Sequence, residues 1–251
     1  MEVCLKIDKS RIIERLIIRK IQKEMAYDKN SFKDSKNRKG TSVGTPAPSL
    51  RGRAGGEAAV LKDGWSADIA EAVRVMKQGG VILYPTDTVW GIGCDATNAE
   101  AVKRVYEIKK RDDSKALICL IDSDKRISRY IRNVPDVAWD LLNLPTKPTT
   151  VILDNASGLA KNLVAEDGSI AMRITREAFS KELCYRMQKP IVSTSANISG
   201  EPAAQNYRDI APELLEAVDY VCKSRRNEHE PHVPSSIIKL AGNGEVTVIR
   251  K

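Results

Sequence analysis

No apolar run in the sequence approaches the roughly 20 residues a helix needs to cross a bilayer. The N-terminus also lacks a continuous apolar segment followed by a small-residue cleavage site, so no secretory signal is read there. Cysteine is sparse: Cys4, Cys94, Cys119, Cys184 and Cys222 are odd in number, widely spaced and form no CxxC pair. That pattern argues against a disulfide framework or a zinc ribbon and predicts reduced thiols in a cytoplasmic protein. Histidine is scarcer still. His229 and His232 lie three apart in a stretch punctuated by Pro231 and Pro234. A zinc site there would need a third protein ligand, and no metal held by the protein is expected. A Ser–His–Asp triad would have to take its base from this same stretch, which makes Ser195 a poor hydrolase nucleophile. No G-x-x-x-x-G-K followed by Ser or Thr occurs, so a P-loop is excluded. Trp65, Trp90 and Trp139 are dispersed, without the aromatic–basic interleaving of a nucleic-acid stacking surface.

What is present begins with charge. The 251 residues carry a formal net charge of +8, which invites a nucleic-acid reading. Residues 1–64 hold 15 Lys and Arg against 8 Asp and Glu, whereas residues 65–251 are nearly balanced at 26 against 25. The basic excess therefore belongs to a short N-terminal region. Within it, residues 11–25 place Ile13, Ile17, Ile21 and Met25 four apart, the spacing of an amphipathic helix with a basic polar face. Such a helix suits a membrane surface or a partner. The plainer reading, which we favour, is an accessory extension or codons upstream of a start at Met25. Residues 30–64 contain almost no large apolar side chain and read as a flexible linker, because little burial is available to offset ordering entropy.

Order is expected from residue 65 to residue 251, as one α/β domain. Ser66 is placed to cap a helix bearing Ile69, Val73 and Met76, which Gly79 and Gly80 end. Residues 81–84, 116–121, 149–153, 170–175 and 190–194 read as buried strands, followed by strands at YVC, SIIKL and EVTVI. Helices are expected over 99–110, from the stretch after residue 121 to Leu144, over 177–187 and around 208–218. The last two strands are separated by Gly242-Asn243-Gly244, a hairpin signal. Alternation of strands and helices predicts a largely buried mixed sheet.

Three segments at strand ends carry the chemistry, where ligands of open α/β sheets collect. In YPTDTVWGIGCD, Pro85 stops a strand, after which Thr86, Asp87 and Thr88 expose short polar groups. GIGCDA formally matches a dinucleotide fingerprint, but six residues separate it from its strand, so the match is weak. In IKKRDDSKAL, Lys109, Lys110, Arg111 and Lys115 cluster at a helix end. Capping of helix carbonyls accounts for one or two of them, and a polyanion such as a nucleotide triphosphate would use all four. In KPIVSTSANISGEP, Ser193, Thr194, Ser195, Asn197 and Ser199 follow a buried strand. A self-bonded turn would account for them, but their density favours phosphate or amino-acid binding.

In this order and spacing, YPTDTVWGIGCD, the Lys109-x-Arg111 pair with Lys115, and STSANISG resemble the YrdC-like family of L-threonylcarbamoyladenylate synthases. The resemblance runs from about Ala67 to Arg250. It implies a single domain with a twisted α/β sheet and an open concave active site, in a short form without an additional C-terminal domain. It implies an ATP-dependent nucleotidyltransferase: L-threonine, bicarbonate and ATP give threonylcarbamoyl-AMP and pyrophosphate, for modification of the adenosine beside a tRNA anticodon. Lys109, Arg111, Ser195 and Asn197 would be catalytic. Arg111, Lys115, Thr150, Ser195 and Arg250 would bind ATP, accompanied by Mg²⁺. Thr86, Arg173, Ser193 and Ser235 would frame L-threonine, with Arg173 facing its carboxylate. The downstream partner implied is the tRNA threonylcarbamoyl transferase complex. The sequence departs from the family pattern at Asp112, where proline is frequent, in LICLI, which lacks a histidine, and in the ITREA segment after Arg173. The rival reading is an RNA-binding module of the same fold without adenylation activity, with weak RNA binding its minimal form. A dinucleotide oxidoreductase is a distant third.

Overall fold

A computed structural model describes residues 64–111, 117–143, 147–228, 233–241 and 245–250. The expectations for residues 1–63, Lys115, the two histidines and the Gly242–Gly244 turn lie outside the described residues. The first described element is helix α1 (Trp65–Lys77), which buries Ile69, Ala72, Val73 and Met76 along one face. Its N-cap is Gly64 in a left-handed conformation, and no side chain caps it. Ser66 instead lies inside the first turn, where its hydroxyl accepts from Arg186 Nη2 at 3.1 Å. At the other end Gly79 turns the chain at φ 87°, a backbone state that glycine adopts without steric cost.

Strands β1 (Ile82–Tyr84) and β2 (Gly91–Gly93) then pair antiparallel. Helix α2 (Ala99–Ile108) starts at Asn98, whose side chain accepts from the Glu100 and Ala101 amides. Strand β3 (Ile118–Ile121) follows. The single helix expected up to Leu144 is broken into α3 (Asp124–Ile127) and α4 (Asp136–Leu142). Asn133 at φ 57° and Pro135 lie between them, and neither conformation continues a helix. Then come β4 (Thr149–Leu153), β5 (Ile170–Ile174), α5 (Ala178–Met187) and β6 (Ile191–Ser195). The helix expected around 208–218 is shorter. A 3₁₀ turn at Tyr207–Asp209 precedes α6 (Pro212–Ala217), because Pro212 occupies a first-turn position where its missing N–H costs nothing. Strands β7 (Tyr220–Val221), β8 (Ser236–Leu240) and β9 (Val246–Arg250) complete the order.

The nine strands form one mixed sheet in the order β7-β1-β2-β6-β3-β5-β4-β8-β9. β1 and β7, β3 and β5, and β4 and β8 run parallel, and the remaining neighbours antiparallel. Burial follows position. β1 is buried at every residue, as its continuous ILY run requires, whereas β8 alternates and the outermost β9 is half exposed. α1 packs on α5, with Trp65 edge-on to Phe179 at 5.5 Å. All described residues belong to one compact unit, Leu61–Lys251. No helix among them is long and apolar enough to cross a membrane.

β2 was not expected. Two of its three residues are glycine, which is depleted in strands. The reason it pairs is space: a Cβ at Gly93 would lie 2.5 Å from the Val192 carbonyl oxygen and 2.7 Å from Tyr84 Cε1. Gly91–Gly93 is thus a strand between β1 and β6, not a phosphate-binding loop.

Candidate active site

The strand register brings residues from four strands into one row. Ile152 on β4 pairs with Ala171 on β5, Ala171 with Ile118 on β3, and Ile118 with Ser193 on β6. These four form the floor of a cleft of about 390 Å³, within the range of small-molecule sites. Above the floor stand Arg111 after α2, Arg173 on β5, Ser195 and Asn197 at the end of β6, Ser235 before β8 and Arg250 at the end of β9. Of the residues given a catalytic or substrate-binding role from sequence, these six and Ser193 share one cavity.

Three others stand behind its walls. Lys109 was expected to contact a triphosphate, yet it is 1% exposed and its ammonium is directed at the backbone. Nζ donates to the carbonyls of Ser195 at 2.5 Å and Asn197 at 2.6 Å, while the Lys109 carbonyl accepts from Ser199 N at 2.9 Å. Three bonds thus clamp the turn after α2 to the 195–199 loop. Thr86 and Thr88 were read as exposing their hydroxyls, but both are buried. Thr86 Oγ1 donates to the Val89 carbonyl and accepts from Thr88 N. Thr150 is buried too, its hydroxyl 2.9 Å from Ser235 Oγ, so it supports a cleft residue from below.

Asn197 also differs from its expected role as a donor. Its Nδ2 already donates to the Ile198 and Glu201 carbonyls at 2.9 and 2.7 Å. A flipped amide would set Oδ1 against those two carbonyls, so the oxygen is the group left over, and it is buried without a partner. The atom available at this corner of the cleft is an acceptor.

Electrostatics separates the cleft from its surroundings. Burial, followed by the like charge of Arg111, pushes the Lys109 amine down to about 8. Burial lowers Arg111 as well, and burial with the nearby Arg173 charge lowers Arg250. Cations held below their ordinary values by burial and by one another mark a place where an anion is favoured. Arg173 also lines this cleft and is 3% exposed. Its Nη2 lies 2.9 Å from Asp87 Oδ1 and donates to Thr88 Oγ1 at 3.3 Å, while its Nε is buried with no partner. Burial pushes the Asp87 carboxyl up, against the pull of Arg173. Sequence reasoning missed Glu201 as a lining residue, and it named Thr88 without its partner. Thr88 lies in a segment already singled out, but only the fold reveals its contact with Arg173, 85 residues away.

The donor set does not make a metal cage: among the described residues no three His, Cys, Asp or Glu side chains converge. Mg²⁺, which is bound through substrate phosphates more often than by protein cages, fits here only as a companion of a nucleotide.

A family model described as telomere recombination, that of Sua5, YciO and YrdC, matches residues 74–251. A Pseudoalteromonas translucida (strain TAC 125) protein named threonylcarbamoyl-AMP synthase is 35% identical over 182 residues, covering 71% of this chain and 95% of that protein. A protein of the same name from Xanthomonas euvesicatoria pv. vesicatoria (strain 85-10) is 36% identical over 157 residues, 61% of this chain and 84% of its own. Among solved structures, E. coli YciO superposes with a TM-score of 0.64 at 25% identity, covering 73% of this chain and 88% of that one. P. abyssi Sua5 complexed with L-threonine gives 0.63 at 26% identity over 68% of this chain. This chain spans about half the length of that protein, 50% of it.

Proposed function

The chain belongs to the Sua5/YciO/YrdC family, and from that premise we propose that it is a threonylcarbamoyl-AMP synthase, a nucleotidyltransferase acting in tRNA modification. The observation that carries the reading is the single cleft in which Arg111, Arg173 and Arg250 converge with Ser193, Ser195 and Ser235. A site so cationic, with Ile118, Ile152 and Ala171 in its floor, suits two anionic substrates, ATP and the carboxylate of L-threonine. The proposed reaction runs in two steps. The threonine amine combines with bicarbonate to give a carbamate and water. A carbamate oxygen then attacks the α-phosphorus of ATP, and pyrophosphate leaves. No covalent nucleophile is required, because such a displacement depends on alignment and charge neutralisation.

In this reading Arg173 holds the threonine carboxylate through its unpartnered Nε, with Ser193 and Ser235 beside it. Thr86 supports this end through Thr88. Arg111 and Lys115 neutralise the triphosphate, Ser195 donates to phosphate or carbamate oxygens, and Arg250 serves the nucleotide, with Thr150 holding Ser235. Lys109 acts by fixing the Ser195–Asn197 backbone. Mg²⁺ would enter with ATP and neutralise phosphate charge, with Asn197 Oδ1 an oxygen of the right chemistry nearby. The product would pass to a tRNA threonylcarbamoyl transferase complex. A cytoplasmic setting is consistent with Cys94, Cys119, Cys184 and Cys222, all free and buried.

The decisive experiment is pyrophosphate release from ATP with each substrate omitted in turn. Release is expected only when L-threonine and bicarbonate are both present. Release unchanged without threonine would overturn the assignment.

A further inference from the structure

Arg225 lies in the loop after β7, in a segment to which no chemistry has been attached. Its backbone is left-handed at φ 62°, a state uncommon for a residue with a side chain. Such a conformation persists where the surroundings over-determine it. Here the side chain supplies the constraint: it is 9% exposed and reaches two other parts of the chain as well as its own loop. Nη1 donates to the Thr86 carbonyl at 2.9 Å and lies 3.3 Å from Glu177 Oε1. Nε donates to Glu228 Oε2 at 2.7 Å. Glu177 in turn caps α5, accepting from the Phe179 and Ser180 amides. One guanidinium therefore joins the loop after β7, the segment after β1 and the helix that follows β5.

The link continues into the cleft. The Thr86 hydroxyl proton is committed to the Val89 carbonyl, so across the 3.0 Å contact between the two hydroxyls Thr88 is the donor. The Thr88 oxygen is then oriented to accept from Arg173 Nη2. Arg225 thus fixes the backbone of Thr86, Thr86 fixes the Thr88 hydroxyl, and Thr88 fixes one arm of the Arg173 guanidinium. We propose that Arg225 is a positioning residue for the Arg173 end of the cleft and sets its affinity for L-threonine, while leaving the nucleotide end untouched. The proposal rests on the threonine reading above.

Calorimetric titration of the full chain with L-threonine and, separately, with ATP tests it. Arg225→Gly removes the side chain yet suits the left-handed backbone, so the fold is spared the strain an alanine would keep. Loss of a charged hydrogen bond in this position is expected to weaken threonine binding by roughly tenfold, with the ATP dissociation constant within about twofold of wild type. Arg225→Lys, which keeps one donor for the Thr86 carbonyl, should recover most of the threonine affinity. Wild-type threonine affinity in Arg225→Gly, or equal losses for both ligands in either variant, would overturn the positioning role alone. A wild-type chain that binds ATP but not L-threonine would overturn the substrate reading and this proposal with it.

Discussion

Arg173 and Asp87 form a pair whose members are 4% and 9% exposed at the side chain, and neither can lose the other cheaply. Removing one partner of a buried pair leaves an uncompensated charge and typically costs roughly 3–5 kcal/mol. Arg173→Met should therefore destabilise the fold by about that much, and Asp87→Asn added to it should recover a large part. Both chains should fail to bind L-threonine. Chemical denaturation alongside calorimetry separates the two effects, and retained threonine binding in the double variant would remove Arg173 from the site. Lys109 offers a pH-dependent test. Its amine, pushed down to about 8, loses its charge as pH rises through that value. The folded chain then holds fewer protons than the unfolded one, so this group's burial cost is full below about 8 and is relieved towards 10.5. For catalysis the sign is opposite. If the Lys109 charge helps order the Ser195–Asn197 loop, kcat/KM for ATP should fall above pH 8, and Lys109→Arg should lack that fall. The comparison between the two chains cancels titration of the substrates.

At the scale of elements, β2 is the informative case. Val-Ile-Leu-Tyr announces β1 through its continuous apolar run, and KPIV announces β6 in the same way. The glycines of β2 carry no such signal, because what they supply is the absence of a Cβ between two strands. Gly93→Ala forces that atom against the Val192 carbonyl and the Tyr84 ring. Overpacking of this kind costs roughly 1–3 kcal/mol, and each kcal/mol lowers the melting temperature of a domain this size by about 2–4 °C. Thermal unfolding would show it, and an unchanged melting temperature would mean that β1 and β6 separate without cost. The helix between residues 122 and 144 shows the opposite limit. Its apolar spacing is genuine, but Asn133 and Pro135 interrupt the backbone, and local geometry prevails over periodicity.

For the whole molecule, Asp68 ties the first helix to the far edge of the sheet. It accepts from Tyr220 Oη at 2.7 Å and from the Lys223 and Ser224 amides. Burial alone would raise its carboxyl, but the Ser224, Lys223 and Tyr220 hydrogen bonds outweigh it and hold it below the ordinary 3.8. Because the folded value lies below the unfolded one, this stabilisation is present above pH 3.8 and is lost as pH falls through the folded value. Asp68→Asn should be less stable at neutral pH by roughly 1.5–3 kcal/mol, the worth of hydrogen bonds to a charged group. The gap from wild type should close under acid. A constant gap from pH 7 to pH 2, followed by far-ultraviolet circular dichroism, would contradict this account. The molecular charge of +8, by contrast, says little about the cleft, because most of the basic excess lies in residues 1–64.

Most strands, the segments at their ends and the family were legible in the order of residues, because hydrophobic runs and short motifs are local. Seven of the proposed site residues could be named before their common cleft was seen. What the order could not decide was which polar groups face that cleft. Lys109, Thr86 and Thr150 have the chemistry of ligand-binding residues, yet their atoms are engaged by neighbours within the fold. The Lys109 ammonium meets carbonyls 86 and 88 residues away, and Arg225 meets one 139 residues away. A side chain's type is written in the chain, whereas its hydrogen-bond partner is chosen by strand pairing and burial. Only the tertiary structure could therefore separate the residues that face the cleft from those that hold them in place.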